Sequence, residues 1–395
     1  MNDLTFQIAR EQSASVSLGA CESHSDSIVE RLAQIDWSFA QRSKSLAIES
    51  IHPYPAKFIG DIPRALIESL PIPDGTAVLD PFCGSGTTLM EAQRAGLSSV
   101  GIDLNPIACL IARVKTSPLP KGFEEVVQEI TSRARNIHTL PTSSIPNVDH
   151  WFKPDIQLAV GALAQIIADP AYAVWLDQLR LALSSILIRV SNQDSDTRYA
   201  AVEKNIVRND VFDAFDKASS KLQRSLLERT WALPSAHVLE ANTLELRPSE
   251  IAMNIGLVVT SPPYPNAYEY WLYHKYRMWW LGFDPIAVKE KEIGARAHFF
   301  KKNNHTAETF VDQMKGTFEL IEGVLVKNGF VCFVVGRSKI HGQIINNGDI
   351  IHQVATGVGL EPISRFERVI SATRKSFNLS HANIKTETVL VFQKL

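Results

Sequence analysis

Val78-Leu79-Asp80-Pro81-Phe82-Cys83-Gly84-Ser85-Gly86-Thr87-Thr88 constrains the fold more than any other stretch of this 395-residue chain. Ala77–Asp80 is apolar up to its final acid and reads as a buried strand. Gly84 and Gly86 follow in a turn where the backbone must approach a ligand closely. The pattern predicts a helix from about Thr87 to Ala95 and a second strand over Ser99–Asp103. Strand, turn, helix and strand in that order begin a parallel α/β sheet.

The turn also limits the ligand. No Lys-Ser or Lys-Thr pair follows the glycines, so the phosphate-binding Walker pattern fails. Leu89 holds the place of the third glycine of a dinucleotide fingerprint. What remains is Asp80 at a strand tip, Gly-x-Gly, and Asp103 at the end of the next strand, where an acid can accept bonds from ribose hydroxyls. A nucleoside without phosphates fits these residues better than ATP or NAD does. S-adenosylmethionine is such a ligand.

A second signal lies downstream. Ile255–Thr260 reads as a buried strand and runs into Ser261-Pro262-Pro263-Tyr264. Two consecutive prolines cannot continue a ladder, so the backbone turns outward with its carbonyls unpaired. A rigid corner with a hydroxyl, bare carbonyls and an aromatic ring can hold a flat heterocycle bearing an amino group.

DPFCGSGTT, GIDLNP and TSPPY together resemble the amino-methylating DNA methyltransferases, which act on cytosine N4 or adenine N6. The resemblance covers residues about 50–115 and 236–395. It implies a Rossmann-like sheet ending in an antiparallel β-hairpin, and S-adenosylmethionine as cofactor. Ile51–Phe58 looks like the family's N-terminal cofactor motif, which adds Tyr54, Lys57 and Phe58 to the cofactor set. By position, Asp80, Phe82, Gly84 and Gly86 would surround the methionine portion, with Pro81, Thr87 and Thr88 beside them. Asp103 would bind the ribose, next to Leu104. Asn242 stands where the family carries an acid, and its amide carbonyl can still accept from an adenine amino group.

The same resemblance makes Ser261, Pro262, Pro263 and Tyr264 the catalytic corner. Ser261 and the Pro262 carbonyl would accept from the target amino group, and Tyr264 would stack on the base. Family members with Ser at the first position usually methylate cytosine N4, so cytosine is expected here, with adenine N6 as the alternative. An RNA amino-methyltransferase more often carries Asn or Asp there. Carbon-5 methylation needs a nucleophilic cysteine, typically after proline, and no Pro-Cys pair occurs. The implied partner is double-stranded DNA with its target base flipped out. A cognate restriction endonuclease would be the functional partner in restriction-modification. The motif order resembles the alpha arrangement, whereas the wording SPPY with PFCGSGTT is more usual in the beta one.

Composition sets the remaining bounds. The chain is 45% hydrophobic and 21% charged, an ordinary globular balance, and its net charge of −2 leaves nucleic-acid binding to local basic patches. Cys21, Cys83, Cys109 and Cys332 are scattered without zinc-ligand spacing, so no metal is expected. No signal peptide and no run of 18 apolar residues is present, which predicts a cytoplasmic location.

The expected organisation is a polar segment over 1–45, a catalytic domain over 46–118 and 236–395, and a helical insertion over 119–235 that is the candidate target-recognition region. Ser27–Phe39 is a plausible helix within the first segment, and Ser191–Asp196 reads as a loop within the insertion. Pro265–Gly282 predicts a helix packed on the sheet through Leu272, Tyr276 and Trp279, with Tyr268, Tyr270 or His274 as base-side candidates. Two basic stretches are candidate phosphate contacts: Lys289, Lys291, Arg296, Lys301 and Lys302 with Phe299 and Phe300, and Arg365, Arg368, Arg374 and Lys375.

Overall fold

The apolar runs too short for helices form the middle of one sheet. The computed structural model describes residues 27–40, 45–196, 198–266, 268–300, 305–370 and 386–395. Its strands are β1 (Ala77–Asp80), β2 (Ser99–Asp103), β3 (Gln193–Ser195), β4 (Arg198–Ala201), β5 (Ala236–Glu240), β6 (Ile255–Thr260), β7 (Leu325–Val335), β8 (Arg337–Ile340), β9 (Gln343–Asn346), β10 (Glu361–Val369) and β11 (Thr386–Gln393). Seven of them form a sheet in the order β10-β11-β7-β6-β1-β2-β5. The five from β7 to β5 are parallel. β11 runs antiparallel to β7, and β10 antiparallel to β11. The fold is α/β and Rossmann-like, with the expected terminal hairpin.

Chain order reverses at β1. The path runs outward through β2 to β5, then crosses back to β6 on the other side of β1. Ligands of open parallel sheets bind at the carboxyl ends of the strands flanking such a reversal. Asp80 ends β1 and Ser261 follows β6, so both sequence signals arrive at that crevice.

Strand alternation divides the core between the two faces. Leu79 and Val258 pack with Phe310, Met314 and Phe318 of the helix Ala307–Val324. Val78, Leu257 and Val259 pack on the other side with Ile62 and Leu66 of the helix Asp61–Ser69 and with Ile28 and Leu32. The latter two belong to a short helix over 27–33, inside the predicted Ser27–Phe39.

Between β2 and β5 the chain is mainly helical, as expected, but it does not core itself. Phe123, Leu163, Leu183 and Phe215 share one apolar cluster with Leu110 and Val114 of the helix Pro106–Thr116 and with Trp271 and Met278 of the helix Tyr270–Trp280. Helices begin at Pro106, directly after β2, and continue past 119 to Leu227, so neither the kind of structure nor the packing changes at 119.

Two local expectations are corrected. Gln193–Ser195 in the predicted loop pairs with Arg198–Ala201 as a two-stranded hairpin. The helix Tyr270–Trp280 packs on the helical layer rather than on the sheet. Trp271, His274, Tyr276, Arg277 and Met278 are buried, so of the expected face Tyr276 is covered, whereas Leu272 and Trp279 are only partly buried. Spacing identifies an apolar face but not the surface that will cover it. Among the described residues, no single helix is long and apolar enough to cross a membrane.

Candidate active site

The Gly-rich turn and the proline corner are joined by one hydrogen bond. Leu79 of β1 lies opposite Val258 of β6. The strand tips therefore meet, and the Thr260 hydroxyl donates to Asp80 Oδ1 at 2.7 Å. The Phe82 N–H donates to the same oxygen at 3.1 Å. Burial pushes the Asp80 carboxyl up to about 6, opposed by the Thr260 and Thr88 hydroxyls.

Asp103 braces the turn from the next strand. Its Oδ2 accepts from Gly84 N–H at 2.9 Å, and its Oδ1 accepts from Asn105 N–H at 2.8 Å. Burial raises its carboxyl to about 6 as well. Each carboxylate oxygen can accept a further bond, so Asp103 keeps capacity for ribose hydroxyls. The two glycines differ in what requires them. A Cβ on Gly84 (φ +48°) would lie 3.3 Å from the Tyr54 hydroxyl, facing the cavity. A Cβ on Gly86 (φ +75°) would lie 2.8 Å from Ala112, so that glycine serves helix packing.

Residues 51–58 fold over this turn. The Tyr54 ring stacks on Tyr270 at 5.8 Å and on His274 at 5.3 Å. The Lys57 ammonium donates to the carbonyls of Glu49 at 2.8 Å and His52 at 3.1 Å, and burial lowers it to about 8. Lys57 thus ties the segment to its own backbone.

A cavity of about 300 Å³ lies between these parts. Tyr54, Lys57, Phe58, Asp80, Phe82, Gly84, Thr87, Asp103, Leu104 and Asn242 line it, together with Ser261, Pro262, Pro263 and Tyr264. Pro81, Gly86 and Thr88 do not line it. The Pro81 carbonyl accepts from the Thr243 hydroxyl at 2.6 Å, and Thr88 is fully buried with its hydroxyl 3.4 Å from the Val259 carbonyl. Asn242 closes a turn, its Oδ1 accepting from Leu244 N–H at 3.1 Å. The volume suits a small ligand, and paired strand-tip carboxylates with apolar walls suit a nucleoside carrying a cationic tail. These residues fit S-adenosylmethionine.

On the proline side, the Tyr264 hydroxyl sits 3.4 Å from Ser261 Oγ and donates to Glu387 Oε1 at 3.1 Å. Glu387 Oε2 pairs with the Arg368 guanidinium, whose Nε donates to the Trp37 carbonyl at 3.1 Å. Arg368 was a candidate phosphate contact, yet its side chain is 5% exposed and engaged in this ion pair. Arg365 pairs with Asp349. In the other basic stretch, Lys291 pairs with Glu245, Lys289 lies over Trp271, Arg296 lies over Phe300, and Phe299 is buried. Lys301, Lys302, Arg374 and Lys375 lie outside the described residues.

Sequence reasoning missed Glu292 and Glu387. Glu292 caps the helix Tyr270–Trp280, accepting from the N–H groups of Tyr270 at 2.8 Å and Trp271 at 2.7 Å. It lines the cavity, and burial raises its carboxyl to about 8. Glu269, the residue at the N-cap position, makes no side-chain cap, so no local capping signature exists to be read. Tyr268 and Tyr270 line the cavity, as the base-side reading requires. His274 does not. It is fully buried and held well below the usual histidine range by burial and by Arg277.

Residues 23–113 match the family model described as DNA methylase. The type II methyltransferase M.MjaII of Methanocaldococcus jannaschii is 37% identical over 21% of this chain and 16% of its own length. M.MvaI of Kocuria varians is 25% identical over 55% of this chain and 53% of its own. M.BsoBI of Geobacillus stearothermophilus is 24% identical over 63% of this chain and 56% of its own. The chain thus spans about half the length of the latter two relatives and less of the first.

Proposed function

We propose that this chain is an amino-methylating DNA methyltransferase that uses S-adenosylmethionine to methylate the N4 amino group of a cytosine flipped out of double-stranded DNA. The observation that carries the reading is the Thr260–Asp80 bond, which holds the cofactor turn and the Ser261 corner on adjacent strand tips. Neighbouring strands lie about 4.8 Å apart, so donor and acceptor groups held at the two tips come within reach of contact.

When bound, the cofactor supplies an electrophilic methyl group on a sulfonium. Asp103 orients the ribose, and Asp80 with Phe82 bounds the methionine end. On the other side, Ser261 Oγ and the Pro262 carbonyl accept from the exocyclic amino group and turn its lone pair toward the methyl. Tyr264 stacks on the base. That nitrogen would take up the methyl group the cofactor supplies, and the proton it releases would pass to water. Catalysis is then chiefly orientation and electrostatics. The neutral Ser261 hydroxyl supports cytosine over adenine. The biological setting we propose is restriction-modification, with the helical layer contributing to target recognition.

Nucleoside mass spectrometry of duplex DNA treated with the chain and S-adenosylmethionine tests this. N4-methylcytosine is expected. N6-methyladenine alone would reassign the base, and methyl label confined to RNA would exclude a DNA substrate.

A further inference from the structure

The β8–β9 hairpin leaves the carboxyl end of β7 beside the proline corner, and none of the roles above uses it. Its turn is His341-Gly342, with φ +47° and +85°. Two positive φ values between paired residues Ile340 and Gln343 make a type I′ turn, the tight form that suits strand twist. The hairpin is fastened at three points. Asn347 Nδ2 donates to the Gly336 carbonyl at 2.8 Å and to Ser338 Oγ at 2.7 Å. Asn266, two residues beyond Tyr264, donates to the Lys339 carbonyl at 2.7 Å. His341 Nε2 lies 3.1 Å from the His305 carbonyl.

One face of this rigid ribbon is chemically distinct. Arg337 and Lys339 are two residues apart, so both project to the same side, about 7 Å apart along the strand. Both are exposed and both line the mouth of the cavity. Neither forms an ion pair among the described residues, whereas Arg365, Arg368 and Lys291 nearby all do. Ile344 lies directly across from Lys339 and is 72% exposed, the most exposed large apolar side chain among the described residues.

Two exposed cations and an apolar tip on a stiff two-stranded ribbon match the backbone of a duplex, where cations meet phosphates and an apolar side chain meets sugar or base. The net charge of −2 offers no general attraction to DNA, so cations at the cavity mouth carry more of the burden. We infer that the β8–β9 hairpin grips the DNA backbone flanking the flipped base, with Arg337 and Lys339 on neighbouring phosphates and Ile344 against the adjoining nucleotide. This rests on the DNA reading above.

The test compares salt-dependent binding of the full chain, with S-adenosylmethionine present, to a duplex oligonucleotide. Each phosphate contact contributes about 0.9 to the slope of log affinity against log salt. The double variant R337Q/K339Q should therefore lower the slope by about 1.8, a roughly twelvefold smaller loss of affinity between about 50 and 200 mM salt. K327Q, at the amino end of β7, should leave the slope unchanged, and calorimetric cofactor binding by each variant checks folding. If the parent chain methylates and binds duplex DNA but R337Q/K339Q keeps its slope and affinity, the hairpin inference is overturned while the DNA reading stands. If the parent binds RNA and ignores duplex DNA, both fall.

Discussion

Glu387 provides the sharpest test of how the proline corner is held. Its Oε1 accepts from the Tyr264 hydroxyl at 3.1 Å, and its Oε2 pairs with Arg368. The Arg368 side chain is 5% exposed and that of Glu387 18%, so water screens the pair poorly. Removing one partner of a buried pair leaves an uncompensated charge and costs about 3–5 kcal/mol. Glu387→Ala should therefore destabilise by that order. Glu387→Gln keeps an acceptor for Tyr264 but loses the charge, so its cost should be smaller. Tyr264→Phe removes only the hydroxyl, and a hydrogen bond to a carboxylate is worth about 1.5–3 kcal/mol. If Glu387 acts on turnover through the Tyr264 hydroxyl, Tyr264→Phe and Glu387→Gln cannot add. The double variant should turn over like the slower single variant, with a coupling of about 0.5–3 kcal/mol. The assay is a double-mutant cycle on kcat for methyl transfer to duplex DNA, with cofactor affinity measured alongside. Turnover losses that add within about 0.5 kcal/mol would refute the coupling and leave Glu387 a purely structural partner of Arg368.

Asp103 predicts a pH dependence. Its carboxyl is raised from 3.8 to about 6, so the fold favours the protonated form. The stability this group contributes is full below its unfolded pKa and is lost as pH rises through about 6. Ribose hydroxyls favour the carboxylate, so cofactor affinity should tighten as pH rises from about 5 to 7, by up to about tenfold per unit below the raised pKa. Calorimetry on the parent, Asp103→Asn and Asp80→Asn checks this: Asp103→Asn should remove the Asp103 share of the dependence and leave that of Asp80, whose carboxyl is also raised to about 6. Gly86→Ala should cost about 1–3 kcal/mol in denaturant unfolding, because its Cβ would meet Ala112 at 2.8 Å. Gly84→Ala should weaken cofactor binding more than folding, since its Cβ points at the Tyr54 hydroxyl. Arg277 is 1% exposed and donates to the Ser184 and Tyr273 carbonyls as well as to Asp196. Asp196→Ala should therefore lower the melting temperature by an amount equivalent to about 1–3 kcal/mol, as a hydrogen bond to a charged group is lost.

The parts legible in the sequence are those whose information is local. β1 and β6 are largely apolar runs because parallel strands are covered on both faces, and the glycines and prolines that follow them act on their own backbone. Asp80, Asp103 and Ser261 could be placed at strand tips on those grounds alone, and the terminal hairpin was implied by the family resemblance. The His341-Gly342 turn was missed because histidine at positive φ is not a usual hairpin signal. Tertiary structure alone decided which distant groups complete the site. Tyr264 and Glu387 are 123 residues apart, and Glu292 caps a helix that begins 22 residues earlier. It alone separated Arg368, buried against a carboxylate, from Arg337 and Lys339, exposed at the cavity mouth, although all three are basic residues near strand ends. Periodicity and backbone preference are properties of neighbouring residues. Burial and ion pairing depend on what the rest of the chain places alongside.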